Sequence, residues 1–199
     1  MFTIKRLLLL LVLAVLAYCF WPRKPSLVTF SPNPMAELQL AAAKQAASKN
    51  WVACGVTNFR IFESQYHFPP FAAAKAAIDQ TRAVAVFRSS ADTADKEAAV
   101  QPLIQTYSVI KDQTGATFDA KAAANQQIQV WALLEADSSE EAARVLAGQL
   151  GLVHGGDAKK YLIPARDFVA AAASAKSSSW PAAQTSLQKA WSGLQAAAK

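Results

Sequence analysis

The chain has 199 residues, with two cysteines, seven glycines and alanine making up about a fifth of it. Two cysteines exclude a framework of disulfides, and so much alanine with so little glycine favours helix before any pattern is read. The net charge of +6 suggests nucleic acid until it is located: Lys5, Arg6, Arg23 and Lys24 flank one hydrophobic segment. From Pro25 onward 16 of the 20 Lys and Arg stand against all 14 Asp and Glu. No basic stripe interleaved with aromatics remains there, so nucleic acid is not an expected partner.

The hydrophobic segment comes first in the chain. Leu7 to Trp21 holds fifteen residues without a charge. As a helix it would reach about 22 Å, somewhat less than a hydrocarbon core of about 30 Å. Tyr18, Phe20 and Trp21 gather at its far end, where amphipathic rings prefer the membrane interface, and Pro22 ends it. The segment reads as a single transmembrane signal anchor, making residues 1–24 a membrane anchor or signal. Cleavage as a secretory peptide is a weaker alternative. Lipidation at Cys19 is weaker still, because Tyr18 stands where that signal needs a small residue. Lys5 and Arg6 favour a cytoplasmic N-terminus, which places the rest of the chain on the periplasmic side of an inner, cytoplasmic membrane. Arg23 and Lys24 pull the other way.

Residues 25–33 form a linker, and residues 34–199 a soluble helical domain of a size that suits one core. Asn33 and Pro34 mark a helix start that runs to about Lys49. Trp51 to Phe62 holds β-branched and aromatic residues around Gly55, and is equally compatible with one or two short strands or with a buried helix. Glu63 to Pro70 reads as a loop. A helix follows from Phe71 to about Arg88, with a break at Ser90 to Thr93. The next carries Val100, Leu103, Ile104, Tyr107 and Ile110 on one face, and Pro102 either kinks it or marks its true start. After a turn at Gly115, Asp119 caps a helix bearing Ile128, Trp131 and Leu134. Ser138 and Glu141 form a capping-box signature for a helix lined by Ala142, Val145, Leu146, Leu150 and Val153. Asp157 caps a further helix, with a distortion expected at Pro164, and Trp180-Pro181 opens the last. The expected fold is mainly α, a bundle of about six helices behind the anchor. Short breaks imply antiparallel neighbours, either in a closed bundle or in a short stack of hairpins.

Little in this inventory carries chemistry. Glu63 and His67 are four apart and would share a helix face as metal ligands, but the prolines that follow make a loop histidine the better reading. His154 precedes Gly155 at a helix C-terminus, where the dipole favours an imidazolium cap. Cys54 beside Gly55 reads as a small buried hydrophobe rather than a nucleophile. No catalytic residue, metal site or cofactor is expected. Trp131, Trp180 and Trp191 read as core anchors, with the lining of an apolar groove for a partner or a small ligand as the alternative. The leading expectation is a non-enzymatic, membrane-tethered interaction or scaffold protein of the cell envelope with a protein partner. An apolar-ligand-binding module is the alternative, and an enzyme built on Cys54, His67 or His154 is the third.

Overall fold

The computed structural model describes Tyr18, residues 23–90 and residues 96–199. The expected anchor, apart from Tyr18, Arg23 and Lys24, lies outside the described residues, as do positions 91–93 of the expected break after Ser90. Among the described residues no helix is long and apolar enough to cross a membrane.

Eight α-helices and no strand occur among the described residues. They are α1 (Pro32–Ala47), α2 (Trp51–Arg60), α3 (Pro70–Ser89), α4 (Val100–Thr114), α5 (Ala120–Glu135), α6 (Ser139–His154), α7 (Leu162–Lys176) and α8 (Trp180–Ala198). A π-helical turn, Ile61–Gln65, continues α2, and a 3-10 turn, Ala158–Tyr161, precedes α7. Each helix packs against its neighbours in sequence, and α8 packs against α1. The bundle is therefore a closed ring of hairpins, of the two arrangements compatible with the sequence.

Closure gives the bundle two distinct ends. The linker reaches one of them, where the Ser26 amide donates to the Tyr66 carbonyl and Gln195 Nε2 donates to the carbonyls of Val28 and Phe30. This near end also holds the α2–α3, α4–α5 and α6–α7 connections. The far end holds the α1–α2, α3–α4, α5–α6 and α7–α8 connections. There Lys176 reaches from the end of α7 to the Glu135 carbonyl and the Asp137 carboxylate beyond α5, and Lys96 pairs with Glu135.

Local sequence explains most of the helix ends. Pro32, Pro70 and Pro181 sit in first turns, where the missing amide hydrogen costs nothing. Asp119 accepts from the amides of Lys121 and Ala122, as expected of a cap, and Asn50 accepts from Ala53. Gly115 ends α4 in the left-handed region at φ 69°.

Several expectations need correction. Of the two readings open for Trp51 to Phe62 the helical one holds and the strand does not: it is α2 and the start of the π turn, because Cys54, Thr57 and Asn58 bury one helical face against α1 and α3. Burial on a helix overrides the β propensity of its valines. Glu63 to Pro70 is accordingly not all loop. The eight helices among the described residues exceed the expected count of about six, partly because α2 is among them. Ser138 precedes α6 but makes no capping hydrogen bond, while Glu140 is drawn to Arg166 on α7 at 2.7 Å. Asn33 lies inside α1, which begins after Ser31. Asp157 caps the 3-10 turn, whose Lys159 amide it accepts from at 2.9 Å, and α7 starts afterwards. Pro164 consequently falls in the first turn of α7, without the expected distortion, and Pro102 sits in the first turn of α4, marking its start, one of the two readings expected of it.

Alanine does much of the packing. Ala36, Ala73, Ala76, Ala83, Ala123 and Ala165 are fully buried, and small side chains let helix axes approach closely. Larger groups fill the spaces between. Trp191 meets Phe30 and Phe168 edge to face, at ring separations of 5.0 Å in each case. Phe62 stacks on Phe68 at 5.6 Å beneath the near end. Phe87 meets Trp131 at 5.1 Å between α3 and α5. Tyr66 touches the clusters around Trp191 and around Phe68, joining the two.

Candidate functional site

The π turn organises the near end. Its wider turn brings Glu63 toward the incoming chain, where the Tyr18 hydroxyl donates to Glu63 Oε1 at 2.5 Å and Arg23 donates to the same oxygen at 2.7 Å. Arg23 also donates to the Phe68 carbonyl and lies over the Tyr18 ring at 4.8 Å. The Tyr18 hydroxyl and the Arg23 guanidinium hold the Glu63 carboxyl below its ordinary range. A cavity of about 500 Å³ opens beside this joint, lined by Arg23, Lys24, Glu63, Ser64 and His67. His67 itself adopts the left-handed conformation, at φ 59°, which turns the chain back so that the Phe68 amide reaches the Phe62 carbonyl. No group of three potential metal ligands occurs among the described residues.

The outward faces of α2 and α3 carry four large apolar side chains exposed to solvent. Val52 is 82% exposed, with Val56 one turn beyond it. On the neighbouring helix Phe71 and Ile78 are two turns apart and also exposed. Arg60, Lys75 and Arg82 stand exposed on the same faces. The opposite faces of these helices are buried and polar at one point: Asn58 Nδ2 donates to Thr81 Oγ1 at 2.9 Å across the α2–α3 contact. A shallow cavity of about 420 Å³ continues from Phe71 along the α3–α4 groove, past Lys75, Gln105 and Val109 to Asp112 and Gln113. Exposed apolar groups that share one face mark interaction surfaces more often than scattered ones do.

The three candidate tryptophans are not brought to one place. Trp180 and Trp191 belong to the cluster formed by α1, α7 and α8, where Lys44 lies over the Trp180 ring at 5.4 Å and Trp191 Nε1 donates to Gln39 at 2.6 Å. Trp131 belongs to a separate cluster with Phe87 and Leu103. No tryptophan lines either of the cavities described above.

Cys54, His67 and His154 also lie in separate surroundings. The Cys54 thiol is buried against the Ala42 carbonyl and Asn58, and burial pushes its pKa up, away from the reactive thiolate. His67 lies at the joint with Glu63. His154 packs against Tyr161, and burial pushes its pKa down to about 4. The expected imidazolium cap on α6 is therefore a neutral ring: desolvation outweighs the helix dipole. Its Nδ1 is buried with no hydrogen-bond partner among the described residues.

One polar cluster escaped the sequence reading. Gln149, almost fully buried, donates to the Tyr107 hydroxyl at 2.6 Å, to the Ala123 carbonyl at 2.9 Å and to Gln127 at 3.2 Å. The signal was present: Gln149 falls between Leu146 and Val153 on the apolar stripe of α6, where a polar residue calls for an internal partner. The cluster ties α4, α5 and α6 together.

Comparison with known proteins finds no family model, no curated protein and no solved structure that matches this chain.

Proposed function

We propose that this chain is a membrane-tethered scaffold of the cell envelope, anchored through Leu7 to Trp21, whose helical domain lies in the periplasm and binds a protein partner without catalysing a reaction. The observation that carries this reading is the outward face of the α2–α3 hairpin. Val52, Val56 and Ile78 are exposed there beside Arg60 and Arg82, a mixture of apolar side chains and cations suited to a partner surface with apolar pockets and carboxylates. Arg23 and Tyr18 support the tether, since they hold the incoming chain against Glu63.

The test is a pull-down from mild detergent, using the full chain, a Val52→Asp/Ile78→Asp variant, and a chain lacking residues 1–24. A scaffold that binds through this hairpin loses its partner in the double variant and keeps it in the shortened chain. Equal recovery of the same proteins by the full chain and the double variant would sink the assignment of the face.

A further inference from the structure

We infer that the near end of the bundle is a lipid-docking surface, which rests on an anionic bilayer and holds the domain upright on the membrane. The inference rests on the anchor reading given above and adds to it an orientation and a second set of lipid contacts.

Three independent features meet at this end. The first is the point where the chain arrives. Tyr18 and Arg23 are fastened to Glu63 and to the Phe68 carbonyl, so a segment inserted through Leu7 to Trp21 leaves the bilayer directly beneath the π turn. Only Pro22 separates the end of that segment from Arg23, and the near end cannot stand far from the head groups.

The second feature is a pair of apolar side chains directed away from the core. Phe71 is 71% exposed and Ile163 is 72% exposed. Each is the second residue of a helix that starts at the near end, on α3 and α7 respectively. The two helices are not neighbours in the ring, so the two side chains project as separate wedges. No single apolar pocket on a protein partner is needed to explain them, whereas a bilayer accepts both at once.

The third feature is charge. Lys24, Lys111, Lys121, Lys159, Lys160 and Lys199 are all exposed around this end, and none forms an ion pair among the described residues. Asp119 and Asp157 are present but turn their oxygens to capping amides, and Asp112 is exposed. The far end carries both signs, with Lys44, Lys49 and Arg88 exposed there. Glu135, Asp137, Glu140 and Glu141 collect there, and Lys96, Arg166 and Lys176 neutralise three of them. The near end thus presents six lysines that form no ion pair among the described residues, on the side where the tether arrives. Those lysines match the negative potential of an anionic leaflet, which decays within about 8 Å at physiological ionic strength.

The test uses the full chain reconstituted in nanodiscs of phosphatidylcholine, with or without phosphatidylglycerol. In a Cys19→Ala, Cys54→Ala background, single spin labels are placed at Phe71→Cys, Ile163→Cys and, at the far end, Ser177→Cys. Docking predicts that labels 71 and 163 collide with oxygen more often than with a water-soluble nickel complex in anionic discs, and that label 177 does the reverse. Replacing Lys159 and Lys160 with Glu should shift labels 71 and 163 toward the aqueous pattern. If labels 71 and 163 are as aqueous as label 177 in anionic discs, the docking surface is refuted. Hydrogen exchange on the unmodified chain gives a second reading without any variant: segments 67–72 and 155–163 should exchange more slowly in anionic than in neutral discs. Equal exchange in the two would also overturn the proposal. Alkaline carbonate washing separates this failure from that of the anchor. A chain that stays in the bilayer with aqueous labels refutes docking alone, and a chain that is washed out refutes the anchor and the docking together.

Discussion

Acid should destabilise this protein through one histidine. His154 is neutral in the fold because burial pushes its pKa down to about 4, whereas an unfolded histidine titrates near its ordinary 6.5. Between these values the unfolded chain binds a proton that the folded chain does not, so stability falls as pH falls through the window from about 6.5 to about 4. At about 1.4 kcal/mol per pH unit, the full loss is about 3 kcal/mol, of which about 2 kcal/mol appears between pH 7 and pH 5. That is a substantial share of a typical stability of about 5–15 kcal/mol. Replacement by Leu keeps an apolar side chain at the site and removes both the titration and the unpartnered Nδ1. The assay is urea unfolding of the full chain in detergent, followed by tryptophan fluorescence at pH 7, 6 and 5. The wild-type midpoint should drop with pH and the His154→Leu midpoint should stay nearly level. Glu63 and Glu140 confound little, because their carboxyls are held below the ordinary value and their contributions are lost only at lower pH. Parallel loss of stability in wild type and variant between pH 7 and pH 5 would refute the reasoning.

Other perturbations test separate parts of the structure. Gln149→Leu leaves the Tyr107 hydroxyl and Gln127 without a common donor in a buried site, and should cost about 1–3 kcal/mol in urea unfolding. Trp191→Ala empties the space between Phe30 and Phe168 and should cost about 3–5 kcal/mol, whereas Trp191→Phe loses chiefly the bond to Gln39 and should cost about 1 kcal/mol. Glu63→Gln weakens the joint to Tyr18 and Arg23, so tryptic cleavage after Arg23 should accelerate while global stability changes by less than about 1 kcal/mol. Cys54 should react with an aromatic disulfide reagent only on unfolding, since its thiol is buried and held protonated. Rapid native-state labelling would contradict that placement.

Helical content was legible from the residues themselves. Alanine abundance, stripes at helical spacing, and Asp119, Gly115 and Pro181 at their helix ends are local signals, because capping and propensity act within one turn. The concentration of basic residues around Leu7 to Trp21 is likewise a property of the chain alone. Trp51 to Phe62 was undecidable at that level: its valines favour a strand, and only burial of Cys54, Thr57 and Asn58 against two other helices selects α2. The charge state of His154 reversed for the same reason. A helix terminus near a histidine is visible in sequence, but the desolvation that outweighs it comes from Tyr161 and the packed residues around it. Closure of the ring through α1 and α8 could not be read locally either, since it depends on contacts such as Trp191 to Gln39, 152 residues apart. That closure decides which connections share an end. It gathers Phe71, Ile163 and six exposed lysines on the side where Arg23 meets Glu63, because distance along a chain says nothing of distance in space until the helices have packed.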